Sequence, residues 1–248
     1  MRMSKSKVNT FLNCPWNFYL TYIEDMRSQN QAPEEGSPLK KGLDLHKVFE
    51  DYYTLPSAKT VKEPYEDNIF DILKMFPLAN KKDPELDAEY DMHLGNFAAW
   101  NASDIRNKGI ENYIPLYREL KLYNKEYNFV GIIDRAEKKS DGTYRILDYK
   151  TGRSHPLKGY LIELGFYKFL FEEEMGLPVT EVGIYFSKDG RLRTTDIGKK
   201  DVERSLTQLD TIRSLIKQKK FPKKVGFLCN WCDNKDVCDL IEMDDYLF

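Results

Sequence analysis

Residues 129–152 read FVGIIDRAEKKSDGTYRILDYKTG, and the architecture follows from how this stretch is parsed. YNFVGIIDRAEK (127–138) and TYRILDYK (143–150) are short, rich in β-branched and aromatic residues, and separated by the turn formers Ser140-Asp141-Gly142. That pattern predicts two strands joined as a hairpin. Residues two apart on a strand share a face. Asp148 and Lys150 therefore point the same way, with Leu147 and Tyr149 on the opposite side. Asp134 ends the preceding strand, a hairpin away, so two carboxylates and a lysine can converge. Hydrolysis of a phosphodiester asks for such a set. Oxygen ligands suit a hard cation such as Mg²⁺ or Mn²⁺, and a neighbouring lysine can orient or deprotonate the attacking water or stabilise charge on the phosphate. Taken singly, Asp148-Tyr149-Lys150 is more often a strand running into a turn, and Asp134-Arg135 a surface pair.

On either side of this hairpin the periodicity extends the pattern. LYRELKLY (116–123) reads as a strand preceding it in an antiparallel meander. LIELGFYKFLFEEEMG (161–176) is a helix, EVGIYFS (181–187) and RLRTTDI (191–197) a second strand pair, and residues 201–219 a helix with one apolar face. Towards the N-terminus, residues 4–25 are helical with an interruption at Cys14-Pro15. Residues 28–38 form a polar loop, and a helix covers about 39–53. On that helix His46 and Glu50, four apart, share one face. His46 can complete a metal sphere and Glu50 orient it from behind. Residues 54–113 are mostly helical, punctuated by Pro56, Pro64, Pro77 and Pro84, and carry no catalytic signature.

The chain has 248 residues, 41% hydrophobic and 13% aromatic, enough for a large core. Its net charge of −2 is not that of a generic nucleic-acid binder, so any DNA-binding surface must be a local patch. Arg213, Lys217, Lys219, Lys220, Lys223 and Lys224 supply one that no acid interrupts. It fits a DNA backbone, and equally a solvated helix end. Trp16, Trp100 and Trp231 could stack bases of single-stranded DNA, but core packing is the expectation for each. Without an 18-residue apolar run or a signal-peptide pattern, an intracellular, cytoplasmic location and no membrane partner are expected. Four cysteines in that setting favour metal over disulfides. Cys229-x-x-Cys232-x5-Cys238, taken alone, fits zinc, an iron–sulfur cluster or coincidence. The tail Asp244-Asp245-Tyr246-Leu247-Phe248 reads as an ordinary frayed end or a docking peptide.

GIIDR followed by ILDYKTG resembles the PD-(D/E)XK nuclease superfamily in its RecB/AddB-like branch. There a Gly-x-x-x-His-x-x-x-Glu helix comes first, matched by Gly42, His46 and Glu50. The opening SKSKVNTFLNCPWNFYLTYI is similar as well. The resemblance implies an α/β fold: a restriction-endonuclease-like core with a small mixed sheet flanked by helices. One domain is expected over 1–248, with 54–113 as a helical insertion that the resemblance does not cover and 225–248 as a C-terminal cysteine cluster and tail. His46, Asp134, Asp148 and the carbonyl of Tyr149 would hold Mg²⁺ or Mn²⁺, with Lys150 catalytic. Glu119 matches a glutamate often seen on the strand before Asp134, with a supporting or a surface role. Glu163 and Tyr167 stand where the family usually has Gln-x-x-x-Tyr, and the glutamate departs from that motif.

Cys14, in a Phe-x-x-Cys-Pro context, completes with the C-terminal triplet the pattern of iron–sulfur RecB-like nucleases. The resemblance thus implies a [4Fe–4S] cluster on Cys14, Cys229, Cys232 and Cys238. The implied activity is exonucleolytic cleavage at single-stranded or duplex DNA ends in repair, recombination, or CRISPR or phage DNA processing. No phosphate-binding loop is present, so unwinding would fall to a helicase partner or another DNA-processing protein. The alternative is a non-catalytic DNA-end-binding iron–sulfur module.

Overall fold

Alternating β-branched and aromatic residues build the sheet on which the hairpin sits. In the computed structural model, which describes residues 1–26, 36–78 and 83–238, β1 is the two-residue strand Met3–Ser4, and β2 (Tyr117–Asn124) pairs antiparallel with β3 (Phe129–Lys138). Strand β3 pairs antiparallel with β4 (Tyr144–Lys150). Strand β4 runs parallel to β5 (Val179–Phe186), and β5 pairs antiparallel with β6 (Arg191–Asp196). The sheet is therefore mixed. The parallel step from β4 to β5 is a crossover through a helix, here called αX (Leu161–Met175), since parallel neighbours cannot be joined by a tight turn.

The chain divides into two compact units, Pro33–Ser205 and Met1–Ala32 with Leu206–Phe248. The first holds the sheet. Here αX packs on β2, β3 and β5. Two glycines mark its close approaches. A Cβ on Gly131 would lie 2.5 Å from Leu170, and one on Gly165 would lie 2.2 Å from the Ser205 hydroxyl. Helices αA (Pro38–Tyr52), αB (Tyr65–Leu73) and αC (Pro84–Lys108) pack with the Tyr149 and Tyr185 rings in one buried cluster around Phe49 and Phe97. Phe49 stacks on Phe97 at 4.0 Å, and Tyr149 meets Phe49 edge-on at 5.5 Å. Residues 54–113 thus contribute to the same apolar cluster as the strands. Ser37 caps αA by accepting from Lys40 N, with Pro38 in the first turn where its missing N–H costs nothing.

Arg135 is fully buried at the centre of this unit. It donates to Asp104 at 2.8 Å, to Glu137 and to the Tyr53 hydroxyl, and lies 4.3 Å over the Trp100 ring. Its planar guanidinium fork aims donors at these acceptors in fixed directions, where a lysine would offer a compact point charge. The pair Asp134-Arg135 is therefore buried rather than a surface pair.

The second unit contains two helices, Lys5–Asn13 and Pro15–Tyr22, broken at Cys14 as the Cys-Pro step requires. The helix Lys199–Lys217 begins in one unit and ends in the other. Phe11, Phe18 and Phe221 cluster here. Most of the polar loop predicted over 28–38, and the Asp244–Phe248 tail, lie outside the described residues. Among the described residues no helix is long and apolar enough to cross a membrane.

Candidate functional site

The end of β4 carries the site because period-two alternation turns Asp148 and Lys150 away from the aromatic cluster that takes Tyr149. Asp148 is fully buried, and the Tyr167 hydroxyl donates to its Oδ1 at 3.2 Å. Lys150 Nζ lies 2.6 Å from Asp148 Oδ2 and 2.9 Å from Glu163 Oε1. Glu163 and Tyr167, one turn apart on αX, thus grip the lysine and its aspartate respectively. A glutamate at 163 makes an ion pair with the ammonium, where a glutamine would accept the same hydrogen bond without the opposite charge.

Beside this pair stands a second group. His46, Glu119 and Asp134 bring one ligand atom each within 4.8 Å of one another. His46 Nδ1 is 3.5 Å from Asp134 Oδ2 and 3.9 Å from Glu119 Oε1, and its Nε2 is 3.0 Å from the Tyr149 carbonyl oxygen. The Tyr149 N–H donates to Asp134 Oδ2 at 2.7 Å, tying the two strands together. Burial pulls the His46 pKa down, but its bond to Glu119 and the charges of Asp134 and Asp148 outweigh that, so the net shift is upward. The same carboxylate field favours a cation at this place.

Glu119 owes its position to the backbone. Arg118 pairs with Arg135 and Leu120 with Ile133, so Glu119 falls opposite Asp134, at φ +41°. A left-handed backbone costs a non-glycine residue about 1–2 kcal/mol, and the ladder on both sides holds it there. The sequence offered this residue only as a strand glutamate. The positive φ that directs it at His46 has no local signature. Glu50, the expected support for His46, instead reaches Lys47 at 3.3 Å.

A further set reaches the site from αC, in the span without a catalytic signature. His93 Nδ1 and Ser187 Oγ are 2.8 Å apart, and the Ser187 N–H donates to the Lys150 carbonyl at 2.9 Å. Asn96 Nδ2 donates to the Ser187 carbonyl at 2.8 Å. Burial holds the His93 pKa down at about 4, so it is neutral at pH 7. The signal available in the sequence was a histidine inside the apolar stripe Tyr90, Leu94, Phe97.

The cysteines meet in the other unit. Cys14 caps the second helix by accepting from Asn17 N at 3.5 Å, while Cys229, Cys232 and Cys238 sit on two successive 3-10 turns. All four are unbridged and half-buried, and line one cavity of about 210 Å³. Asn234 Nδ2 clasps the N-terminal side of it, donating to Asn17 Oδ1 at 2.6 Å and to Thr21 Oγ1 at 2.8 Å. Burial raises the Cys232 and Cys238 thiol pKa values, and the neighbouring cysteines add to that, while the Asn234 N–H works against it at Cys232 and Lys223 at Cys238. Of the basic stretch, Arg213 is half-buried, 3.6 Å from Asp210, and the five lysines are exposed. Trp100 stacks on Tyr185 at 4.2 Å against the core, as expected. Trp231 is 64% exposed, against the expectation of core packing, because the short turns around it offer no layer to bury it.

Residues 2–239 match the family described as the PD-(D/E)XK nuclease superfamily. A solved structure from Eubacterium rectale, described as a candidate exonuclease, superposes with a TM-score of 0.52 at 10% identity, covering 99% of this chain and 92% of its own, which establishes likeness of fold. A solved protein named SSO0001 covers 80% of this chain and 95% of its own at 14% identity and a TM-score of 0.39. The comparison with curated proteins finds no match.

Proposed function

The chain belongs to the PD-(D/E)XK nuclease superfamily, and on that premise we propose that it is a Mg²⁺- or Mn²⁺-dependent deoxyribonuclease of the RecB/AddB-like kind, acting exonucleolytically on DNA ends. The observation that carries this is one of arrangement. Lys150 is held between Asp148 and Glu163 beside the His46–Glu119–Asp134 group.

The donor set fits a hard divalent cation. Carboxylate oxygens and one imidazole gather there, with four acids named against Lys150 and His46. His46, Asp134 and Glu119 would hold the ion, with Asp148 and the Tyr149 carbonyl adjoining. When bound, the ion would supply Lewis acidity to a phosphoryl oxygen and make a bound water more acidic than bulk water. The chain's own groups do the rest. Asp148 and Glu163 position the Lys150 ammonium, whose charge opposes the negative charge that grows on the phosphate. Tyr167 holds the Asp148 carboxylate in place. His93 and Ser187 fix the backbone that bears Lys150.

Cys14, Cys229, Cys232 and Cys238 would hold a [4Fe–4S] cluster. Their shared cavity, the lack of disulfides and the lysines beside them suit an anionic four-thiolate group.

The test is cleavage of 5′- and 3′-end-labelled single- and double-stranded DNA by anaerobically purified protein with Mg²⁺ or Mn²⁺, beside Asp148→Ala and Lys150→Ala. Metal-dependent products absent from both variants are expected, with the label released giving the polarity. Folded, cluster-loaded protein that binds DNA ends without cutting them would replace this reading with an end-binding module.

A further inference from the structure

Between Arg213 and Cys232 the chain carries six cations and no acid, and two of its largest apolar side chains there are turned outward. Phe227 is 75% exposed and Trp231 64%, with their ring centroids 4.4 Å apart. Four residues apart across one 3-10 turn, the two rings form a single raised edge. A second aromatic row lies in the same unit. Trp16 stacks on Tyr19 at 5.0 Å, Tyr19 lies 4.9 Å from Phe221, and Lys223 Nζ sits 5.5 Å over the Trp16 ring. Lys219 and Lys220 precede Phe221, and Lys223 and Lys224 follow it, all exposed. Lysine and aromatic side chains therefore alternate along this surface.

We infer that this surface is a platform for single-stranded DNA, on which Phe227 and Trp231 stack bases while Lys219, Lys220, Lys223 and Lys224 neutralise the phosphates between them. Exposed rings present faces on which bases can stack, and base stacking is sequence-tolerant because every base has a π-face. A duplex keeps its bases stacked on each other and offers no such face. A protein partner is the poorer fit, since the cores of protein interfaces are depleted of lysine. The choice of DNA rests on the nuclease reading above. The surface itself does not.

The experiment is fluorescence anisotropy with a labelled twelve-nucleotide oligo-dT and its duplex, at several salt concentrations. It uses the full-length, anaerobically purified protein without added divalent cation, so that no hydrolysis occurs. Phe227→Ala and Trp231→Ala are each expected to weaken oligo-dT binding at least about fivefold, with duplex binding changed less. Trp231→Phe should retain most of the affinity. Joint Lys219→Ser and Lys220→Ser should lower the slope of log K against log salt by about 1.4, two phosphates' worth. Iron and sulfide content, measured on each variant, separates a lost platform from a damaged cysteine turn.

Unchanged oligo-dT affinity in the Phe227→Ala/Trp231→Ala double variant with native iron content would overturn the proposal. So would an effect confined to binding of phosphatidylserine vesicles, or to the oligomeric state. Hydrolysis of thymidine 5′-(p-nitrophenyl phosphate), which offers no neighbouring base, reports the phosphodiesterase separately. If that activity is missing while the platform variants still lose oligo-dT, the nuclease reading falls and the platform stands. If it is present and the variants bind normally, the platform alone falls.

Discussion

Replacing Arg135 by methionine removes the charge at the centre of the larger unit while keeping most of the side-chain volume. Arg135 is fully buried, so its partners lose a desolvated charge rather than a screened one. Breaking one side of a buried ionic network costs about 3–5 kcal/mol. Here the remaining groups soften the loss. Asp104 keeps Lys108 at 2.9 Å, and Glu137 keeps Arg145 at 2.6 Å and Lys108 at 3.2 Å. That argues for the lower end, about 3 kcal/mol. The lost stacking of the guanidinium over Trp100 adds about 1 kcal/mol. The expected total is about 4 kcal/mol. With a urea m-value near 2 kcal/mol per M, the midpoint falls by about 2 M. Urea denaturation followed by circular dichroism measures it. Adding Asp104→Asn to the methionine variant should restore part of the loss, because it removes a carboxylate left with fewer partners. A midpoint shift below about 0.5 M with m unchanged would refute the argument that this network holds the helices to the strands.

Other expectations follow from single contacts. Burial alone would raise the Glu137 pKa, but the charges of Arg135, Arg145 and Lys108 outweigh it and hold it down at about 2, against 4.5 unperturbed. The lowered pKa contributes about 3 kcal/mol that is fully present above pH 4.5 and is lost as pH falls towards 2, so an acid titration of stability should drop in that window and Glu137→Gln should flatten it. Gly165→Ala places a methyl 2.2 Å from the Ser205 hydroxyl, an overpacking expected to cost about 1–3 kcal/mol in thermal or urea melts, partly relieved by Ser205→Ala. Glu119→Gln should weaken Mn²⁺ binding at least about tenfold by calorimetry, and an unchanged affinity would remove Glu119 from the cation site. Cys14→Ser should lose most of the iron and sulfide of anaerobically purified protein, along with on the order of 4 kcal/mol if the cluster acts as a cross-link closing a long loop.

Much of the framework was legible because it is written in local periodicity. The strands around Asp134 and Asp148, the helix over 161–176 and the break at Cys14-Pro15 are where alternation, helical spacing and turn residues put them. Placing Asp148 and Lys150 on one face needed only the two-residue repeat of a strand. Two residues near the site escaped for opposite reasons. Glu119 is directed by a strained backbone held by its neighbours in the ladder, which no propensity announces. His93 sits in a helix whose apolar stripe conceals a polar contact made 94 positions later in the chain.

Alone, the sequence determined the element types, the shared face of the carboxylate–lysine strand and the family likeness, because each depends on residues a few positions apart. Only the tertiary structure decided that Glu163 grips Lys150, that Glu119 rather than Glu50 stands beside His46, that Arg135 is buried and that Phe227 and Trp231 are not. Those outcomes depend on which surfaces are brought together across long stretches of chain. Burial and ion pairing are properties of the assembled layers, and a hydrophobic or charged residue carries no mark of which layer, if any, will cover it.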